Sequence, residues 1–442
     1  MPTPPDTRHT SVVDVDLDHG LLGILPQLSP SGVWIREGEG MIGLGVAASA
    51  TAAGPQRFAE LAAFWEAWIG TLNVGAENGD SDATAEDDPV AFLSVTFAAD
   101  SQYASRLIVP EVLIRHQAGR ATVLCITERH EPGEQVLRRH GLRMDHHGLL
   151  TTIGPPVGRT VPNTSLLPGA QSERQYLDGV TAGLSAIHDG TVEKLVLARD
   201  VLVSASAPVP TGVLLARLAA EYPQTWTYGV AAVPGAPQAL VGATPEMLVR
   251  LRGDQLSSRV LAGTIDRAER TSVLVQDAKQ HREHGLAVAS LLDQLSTVTA
   301  TLQAPDEPSV LQLPNVYHLA SDITGTLCPD STGQLPSPLR IAEAAHPTAA
   351  VCGTPTTAAA ELIAQLEGMD RGPYAGPVGW IDTRGNADFG IALRGGVLED
   401  PRTLRLFAGC GVVEGSEPEA ELAETRVKLT PMLEALGLEQ FR

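Results

Sequence analysis

The spacing of hydrophobic positions changes along the chain. Up to about residue 170 they come in short apolar runs, such as Val33-Trp34-Ile35 and residues 91–95, separated by loops. Such short runs bounded by turn residues predict strands. An acidic low-complexity stretch over residues 73–88 predicts a surface loop. Pro155-Pro156 and residues 162–169 form a proline-rich passage, predicted as a crossing between two halves of one fold. Beyond it, Ser172-Glu173-Arg174-Gln175 has the form of a helix start, with a helix predicted over 172–188 and a strand over 194–203. A hairpin is predicted with arms 246–251 and 255–261 around Arg252-Gly253-Asp254. Val275, Ala278, Leu286, Ala289 and Leu292 recur at roughly helical spacing and predict a long helix over 271–295. A second hairpin is predicted over 378–397, turning at 383–386, and a last helix over 418–436. Paired strands with helices between them predict an α+β fold, with antiparallel sheets packed against helices, over a doubly wound parallel one.

Composition narrows the partners. The 442 residues carry 31 Lys and Arg against 52 Asp and Glu, a formal charge of -21, with no basic run to offset it. Such a chain repels nucleic acid and anionic membrane. An anionic substrate would meet the same repulsion, so its site needs a local cation, either a metal or clustered Arg and Lys. Cys125, Cys328, Cys352 and Cys410 are far apart and form no C-x-x-C, which points away from a disulfide framework or a cysteine zinc site and toward a reducing compartment. The N-terminus lacks the charged-then-apolar order of a signal peptide, so the chain reads as soluble and cytoplasmic.

Several segments could carry chemistry. Glu421, Glu424 and Lys428 share one face of the last predicted helix, either as a solvated ion-paired surface or as part of a site. Just before it, Ala408-Gly409-Cys410-Gly411-Val412-Val413 has two glycines that would let a backbone amide approach an anion. Glu283, in Lys279-Gln280-His281-Arg282-Glu283-His284, is a second carboxylate. If Glu283 and Glu424 face each other they form a hard-oxygen pocket suited to magnesium; otherwise Glu283 belongs to a surface salt-bridge helix. Strand alternation puts Lys194 on one face with Val196 and Ala198. It is then an inward lysine, either snorkelling to a strand end or desolvated enough to act as a general base. Glu246 follows Gly242-Ala243-Thr244-Pro245 and opens a strand, where burial would keep its proton and make it a general acid. The alternative is a capped turn. His318, among apolar neighbours, either orients a hydroxyl or is a satisfied core residue, and His346-Pro347-Thr348 reads as a helix stop. Asp145-His146-His147 and residues 14–19 lack zinc-ligand spacing.

Seven segments, residues 194–199, 242–250, 261–264, 279–284, 346–355, 391–394 and 408–428, taken in order, resemble the chorismate-binding enzymes: the isochorismate, salicylate, anthranilate and aminodeoxychorismate synthases. The resemblance implies one large fold like that of anthranilate synthase component I, with residues 171–442 as the catalytic region and residues 1–170 as a divergent N-terminal part of the same fold. It implies Lys194 as the base that activates water and Glu246 as the acid that protonates the departing hydroxyl. It implies Glu283 and Glu424 as carboxylates for Mg2+, with Glu421 supporting them. Arg394, Lys428 and the Gly411 amide would bind substrate carboxylates, Gly263 and Thr264 would supply backbone and hydroxyl contacts, and His318 would bond beside the ring. Lys194 stands where ammonia-using members lack lysine, Ala262 where aminodeoxychorismate synthases have a nucleophilic lysine, and Ala350 where salicylate-forming relatives carry threonine. Gln280 replaces an acid found in several relatives. The closest resemblance is therefore to isochorismate synthases, which turn chorismate into isochorismate for menaquinone or siderophore biosynthesis. The rival expectations are a salicylate synthase and a non-catalytic chorismate-binding regulatory subunit. No glutaminase subunit is expected, and the chain would be a monomer or weak homodimer.

Overall fold

The computed structural model describes residues 8–73, 88–127, 131–153, 160–266, 277–312 and 316–441. Most of the predicted acidic loop, Pro155-Pro156 and Val275 lie outside the described residues.

Among the described residues the strands form two mostly antiparallel sheets, one of 15 strands and one of 10. Parallel pairing occurs where Arg8–Leu17 meets Leu149–Thr152 and Leu72–Asn73. Strands from before and after residue 170 adjoin within both sheets: Gly32–Arg36 pairs with Trp226–Val230 in the larger, and Val90–Ser94 with Pro377–Asp382 in the smaller. The apolar run at 33–35 follows from this layering. Trp34 packs into a core cluster with Phe92, Val249 and Phe389 of the smaller sheet, while Val33 and Ile35 point into a second cluster with Leu214, Leu404 and Met432. A strand covered on both faces loses its polar positions and reads as continuous apolar sequence.

The helix Glu173–His188 starts as its sequence predicts, with Ser172 and Gln175 exchanging the reciprocal bonds of a capping box. The last helix, Pro418–Ala435, opens with Pro at a first-turn position and acidic Glu419 and Glu421 in that turn, which suits the positive end of the helix dipole. Two expectations shift. The helix Ala278–Leu295 buries His284, Ala287, Leu291 and Leu295, whereas Ala289 is exposed and Leu286 and Leu292 are only half-buried. Its core face is thus rotated from the predicted one, because His284, paired with Ser321 at 2.8 Å, takes a position that hydrophobicity alone would not count. The second hairpin, Pro377–Asp382 with Ala387–Ile391, ends earlier than predicted, and Gly395–Asp400 belongs to the other sheet.

That early ending places the pocket. The chain passes from the smaller sheet to the larger between Ile391 and Gly395, with Arg394 in the left-handed region at φ 49°. It makes the opposite passage between Ala239–Thr244 and Met247–Arg252, with Glu246 between the two strands. The passages lie side by side: Ile391 N donates to Glu246 O at 3.1 Å, and Gly242 registers with Gly395. A Cβ at either glycine would meet the Tyr228 hydroxyl at 2.3 or 2.2 Å, and that hydroxyl donates to Leu393 O at 2.9 Å.

Candidate active site

At these passages opens a pocket whose walls include Glu246, Glu283, His318, Ala350, Arg394, Gly411, Glu424 and Lys428. Eight residues singled out in the sequence thus meet, although they span 183 positions (428 − 246 + 1). Lys194 stands just behind the wall, 0% exposed, with its Nζ 3.1 Å from Glu283 Oε1. Glu421 is buried and does not line the pocket. Gly263 and Thr264 lie in the strand Gln255–Asp266, with Thr264 opposite His318, but the Thr264 side chain is outside what the structure describes.

The strand Lys194–Ala205 carries the lysine and the wall residues Val196 and Ala198. One edge pairs with Thr403–Val412 over its whole working length, so Val196 faces Gly411 in register. A Cβ on Gly411 would come within 2.3 Å of Glu283 Oε1 and 3.1 Å of Lys194 Cε. Glycine there leaves room for the carboxylate and exposes the strand backbone to the pocket. The other edge pairs with Gly353–Thr354 at its start and Thr164–Pro168 near its end. Between these, side chains stand in for a strand. Arg371 Nη2 donates to Val196 O at 2.8 Å and Ala198 N donates to Glu367 Oε1 at 2.7 Å. Arg371 also donates to Glu367 Oε2 at 2.9 Å and Val351 O at 2.8 Å, tying the strand to the loop that carries Ala350.

Charge is distributed unevenly. Lys428 Nζ lies 2.6 Å from Glu424 Oε1 and donates to Gly409 O at 2.9 Å. Burial works against this ammonium, but the adjacent Glu424 carboxylate outweighs it and holds its pKa above the usual lysine range. Among the described residues no carboxylate pairs with Arg394; burial lowers its pKa, opposed by Glu424 and Glu246. Among the described residues Glu246 forms no ion pair, and burial pushes its carboxyl up to about 7 against the pull of Lys194, Lys428 and Arg394. A carboxylic acid poised near neutrality can give or take a proton under working conditions.

The donor set suits a hard divalent cation. Glu283 and Glu424 both present carboxylates to the pocket. Potential ligand atoms of Cys410, Glu421 and Glu424 lie within 4.8 Å of one another. Cys410 is no thiolate, since burial holds its thiol well above the usual range and its Sγ donates to Glu421 O at 3.2 Å. What remains is oxygen, the ligand type that Mg2+ takes from one or two carboxylates.

Sequence reasoning passed over Tyr374 and Phe407, whose rings stack at 5.0 Å in the pocket wall, and the Glu367–Arg371 pair. The signal was a lone arginine in Arg371-Gly372-Pro373-Tyr374-Ala375-Gly376, a turn-rich string in which a buried charge is otherwise unusual. His346 caps the end of the helix Pro338–Ala345, as its reading as a stop requires. Among the described residues, no metal-type cluster includes Asp145, His146, His147 or residues 14–19. No helix among them is long and apolar enough to cross a membrane.

Residues 34–437 match the family model described as "Chorismate binding enzyme". The chain is 38% identical over 277 residues to the isochorismate synthase DhbC of Bacillus subtilis, covering 60% of this chain and 68% of that one. Its fold superposes on the crystal structure of DhbC from Bacillus anthracis with a TM-score of 0.73 and 28% identity, covering 95% of this chain and 100% of the other. Anthranilate synthase component I from Streptococcus pneumoniae shares the fold at a TM-score of 0.65 and 17% identity, over 98% and 92% of the two chains.

Proposed function

The chain belongs to the chorismate-binding enzymes, and from that premise we propose that its pocket converts chorismate to isochorismate, with Lys194 as base and Glu246 as acid. The observation that carries this is a single pocket in which Glu246, buried and poised near neutrality, shares the walls with Glu283, itself backed by the fully buried Lys194. In the forward direction Lys194, as the base, takes a proton from a water that attacks C2. The ring double bonds shift and Glu246 gives its proton to the departing C4 hydroxyl. One water is added and one is lost, so atoms balance. The reverse reaction exchanges the two roles, which requires groups able to hold either protonation state.

Arg394, which has no carboxylate partner among the described residues, is placed to take a substrate carboxylate, aided by Lys428 and the Gly411 amide. His318 supplies a hydrogen-bonding group beside the ring, Gly263 and Thr264 backbone and hydroxyl contacts, and Ala350 leaves space where a hydroxyl-bearing residue would add a contact. Glu283 and Glu424, with Glu421 nearby, would hold Mg2+, whose charge would anchor the ring carboxylate and offset the negative field of the chain.

The test incubates the protein with chorismate and magnesium, with and without EDTA, separates the products by chromatography and assays pyruvate. Isochorismate that fails to form with EDTA, without enzymatic pyruvate, is the expected result. Salicylate plus pyruvate would move the chain to the salicylate-forming chemistry, and unchanged chorismate would favour a silent binding subunit.

A further inference from the structure

A second, smaller cavity of about 10 Å³ lies beside Glu246, lined by Glu246, Met247, Arg259, Leu291, Thr348 and Ile391 among others. That is the scale of one water molecule, for which roughly 10–15 Å³ suffices. Its walls are apolar apart from three side chains. The guanidinium of Arg259 is bound to Asp322 at 2.6 and 2.9 Å. Glu246 and Thr348 remain to face the space. Thr348 is 5% exposed, and its Oγ1 has no hydrogen-bond partner among the described residues. Its backbone is fixed, because Val351 N and Cys352 N both donate to Thr348 O, at 3.1 and 3.0 Å. A buried hydroxyl without a partner destabilises a fold, and an apolar group of the same shape would relieve that cost. The same loop presents Ala350 to both cavities.

We propose that this cavity holds one water joining Thr348 Oγ1 to the Glu246 carboxyl, which makes Thr348 a positioning residue for the acid. The inference rests on Glu246 being the acid of the reaction proposed above. The water donates a hydrogen bond to the carboxyl oxygen turned away from the substrate and bonds with Thr348 through its second hydrogen or a lone pair. That oxygen then stays unprotonated, and the acid's proton sits on the oxygen facing the pocket, where it is delivered. The bond also fixes the rotation of the carboxyl, since the hydrogen bonds that Glu246 makes among the described residues run through its backbone.

Thr348→Val and Thr348→Ser separate this role from packing. In Thr348→Val, kcat falls about tenfold and KM for chorismate stays within about threefold, while Tm falls only slightly, by the loss of one hydrogen bond. Thr348→Ser keeps the hydroxyl and retains most of the wild-type kcat. A group that only fills space would give stability and activity moving together. A second readout needs no turnover: below pH about 7, where Glu246 holds its proton, the infrared carbonyl stretch assigned by subtracting the Glu246→Gln spectrum rises in frequency in Thr348→Val. A Thr348→Val enzyme with wild-type kcat, or one with an unshifted stretch, overturns the proposal. If the wild-type protein turns over no chorismate, the functional reading fails by itself and the stretch still decides the water link.

Discussion

The two sides of the pocket use glutamate in opposite ways. On one, Glu283 and Glu424 each lie against a lysine nitrogen, Lys194 at 3.1 Å and Lys428 at 2.6 Å, beside strands whose glycines open the backbone to the pocket. On the other, Glu246 forms no ion pair among the described residues and shares its wall with Pro245, Leu261 and Ala350, so burial decides its behaviour and raises its pKa to about 7. The first environment keeps charge in place, where it can hold an ion or an anion. The second makes charge costly, which keeps a proton available. One residue type thus supplies both a fixed field and a movable proton, and the difference lies in what each carboxyl touches.

The largest effect should come from abolishing the second environment's proton. Glu246→Gln is expected to lower kcat by about 10²–10⁴, with chorismate affinity retained, as measured by product formation and by binding to the inactive enzyme. Lys194→Met should lower kcat within the same range. A loss of binding equal to the loss of kcat would show that the lysine serves Glu283 rather than the reaction. Arg394→Lys should act mainly on KM, raising it about tenfold or more with a smaller change in kcat, since an ammonium cannot match a planar two-point grip on a carboxylate.

The contrast also predicts a pH signature. Below about pH 4.5, the ordinary glutamate value, folded and unfolded chains both carry the Glu246 proton. Between there and about 7 only the folded chain keeps it, so this contribution to stability is lost as pH rises through about 7. Denaturant titrations across this window should show stability falling with pH in the wild type and a shallower slope in Glu246→Gln. Forward turnover should decline above about 7 for the same reason. The smallest effect is expected from Gly411→Ala, whose Cβ would press on the tip of Glu283. The magnesium concentration giving half-maximal rate should rise a few-fold, because a flexible carboxylate can shift aside.

Much of this site was legible in order along the chain. Lys194, Glu246, Glu283 and Glu424 each stood in a short segment whose strand or helix signals match the elements observed, whereas Arg394 falls beyond the hairpin predicted to hold it and Gly411 lies in a strand where only a glycine-rich approach was read. Less legible was the rest of the wall. Tyr374, Phe407, Arg371 and Glu367 drew no reading, because nothing local shows that the first two stack in the wall or that the last two complete the open edge of the Lys194 strand. Thr348 looked like part of a helix stop, and only its buried, unpartnered hydroxyl on the small cavity it shares with Glu246 sets it apart.

Local patterning by itself determined where strands and helices form, since periodicity, caps and turn residues act over a few positions. It also determined that any anion site must bring its own cations, since the net charge is -21. Only the tertiary structure decided that the chain would change sheets at Glu246 and Arg394, that Glu283 would meet Lys194, and which glutamate would be dry. Those outcomes depend on groups far apart in sequence excluding water from one another, and desolvation is a property of the packed neighbourhood that no single segment carries.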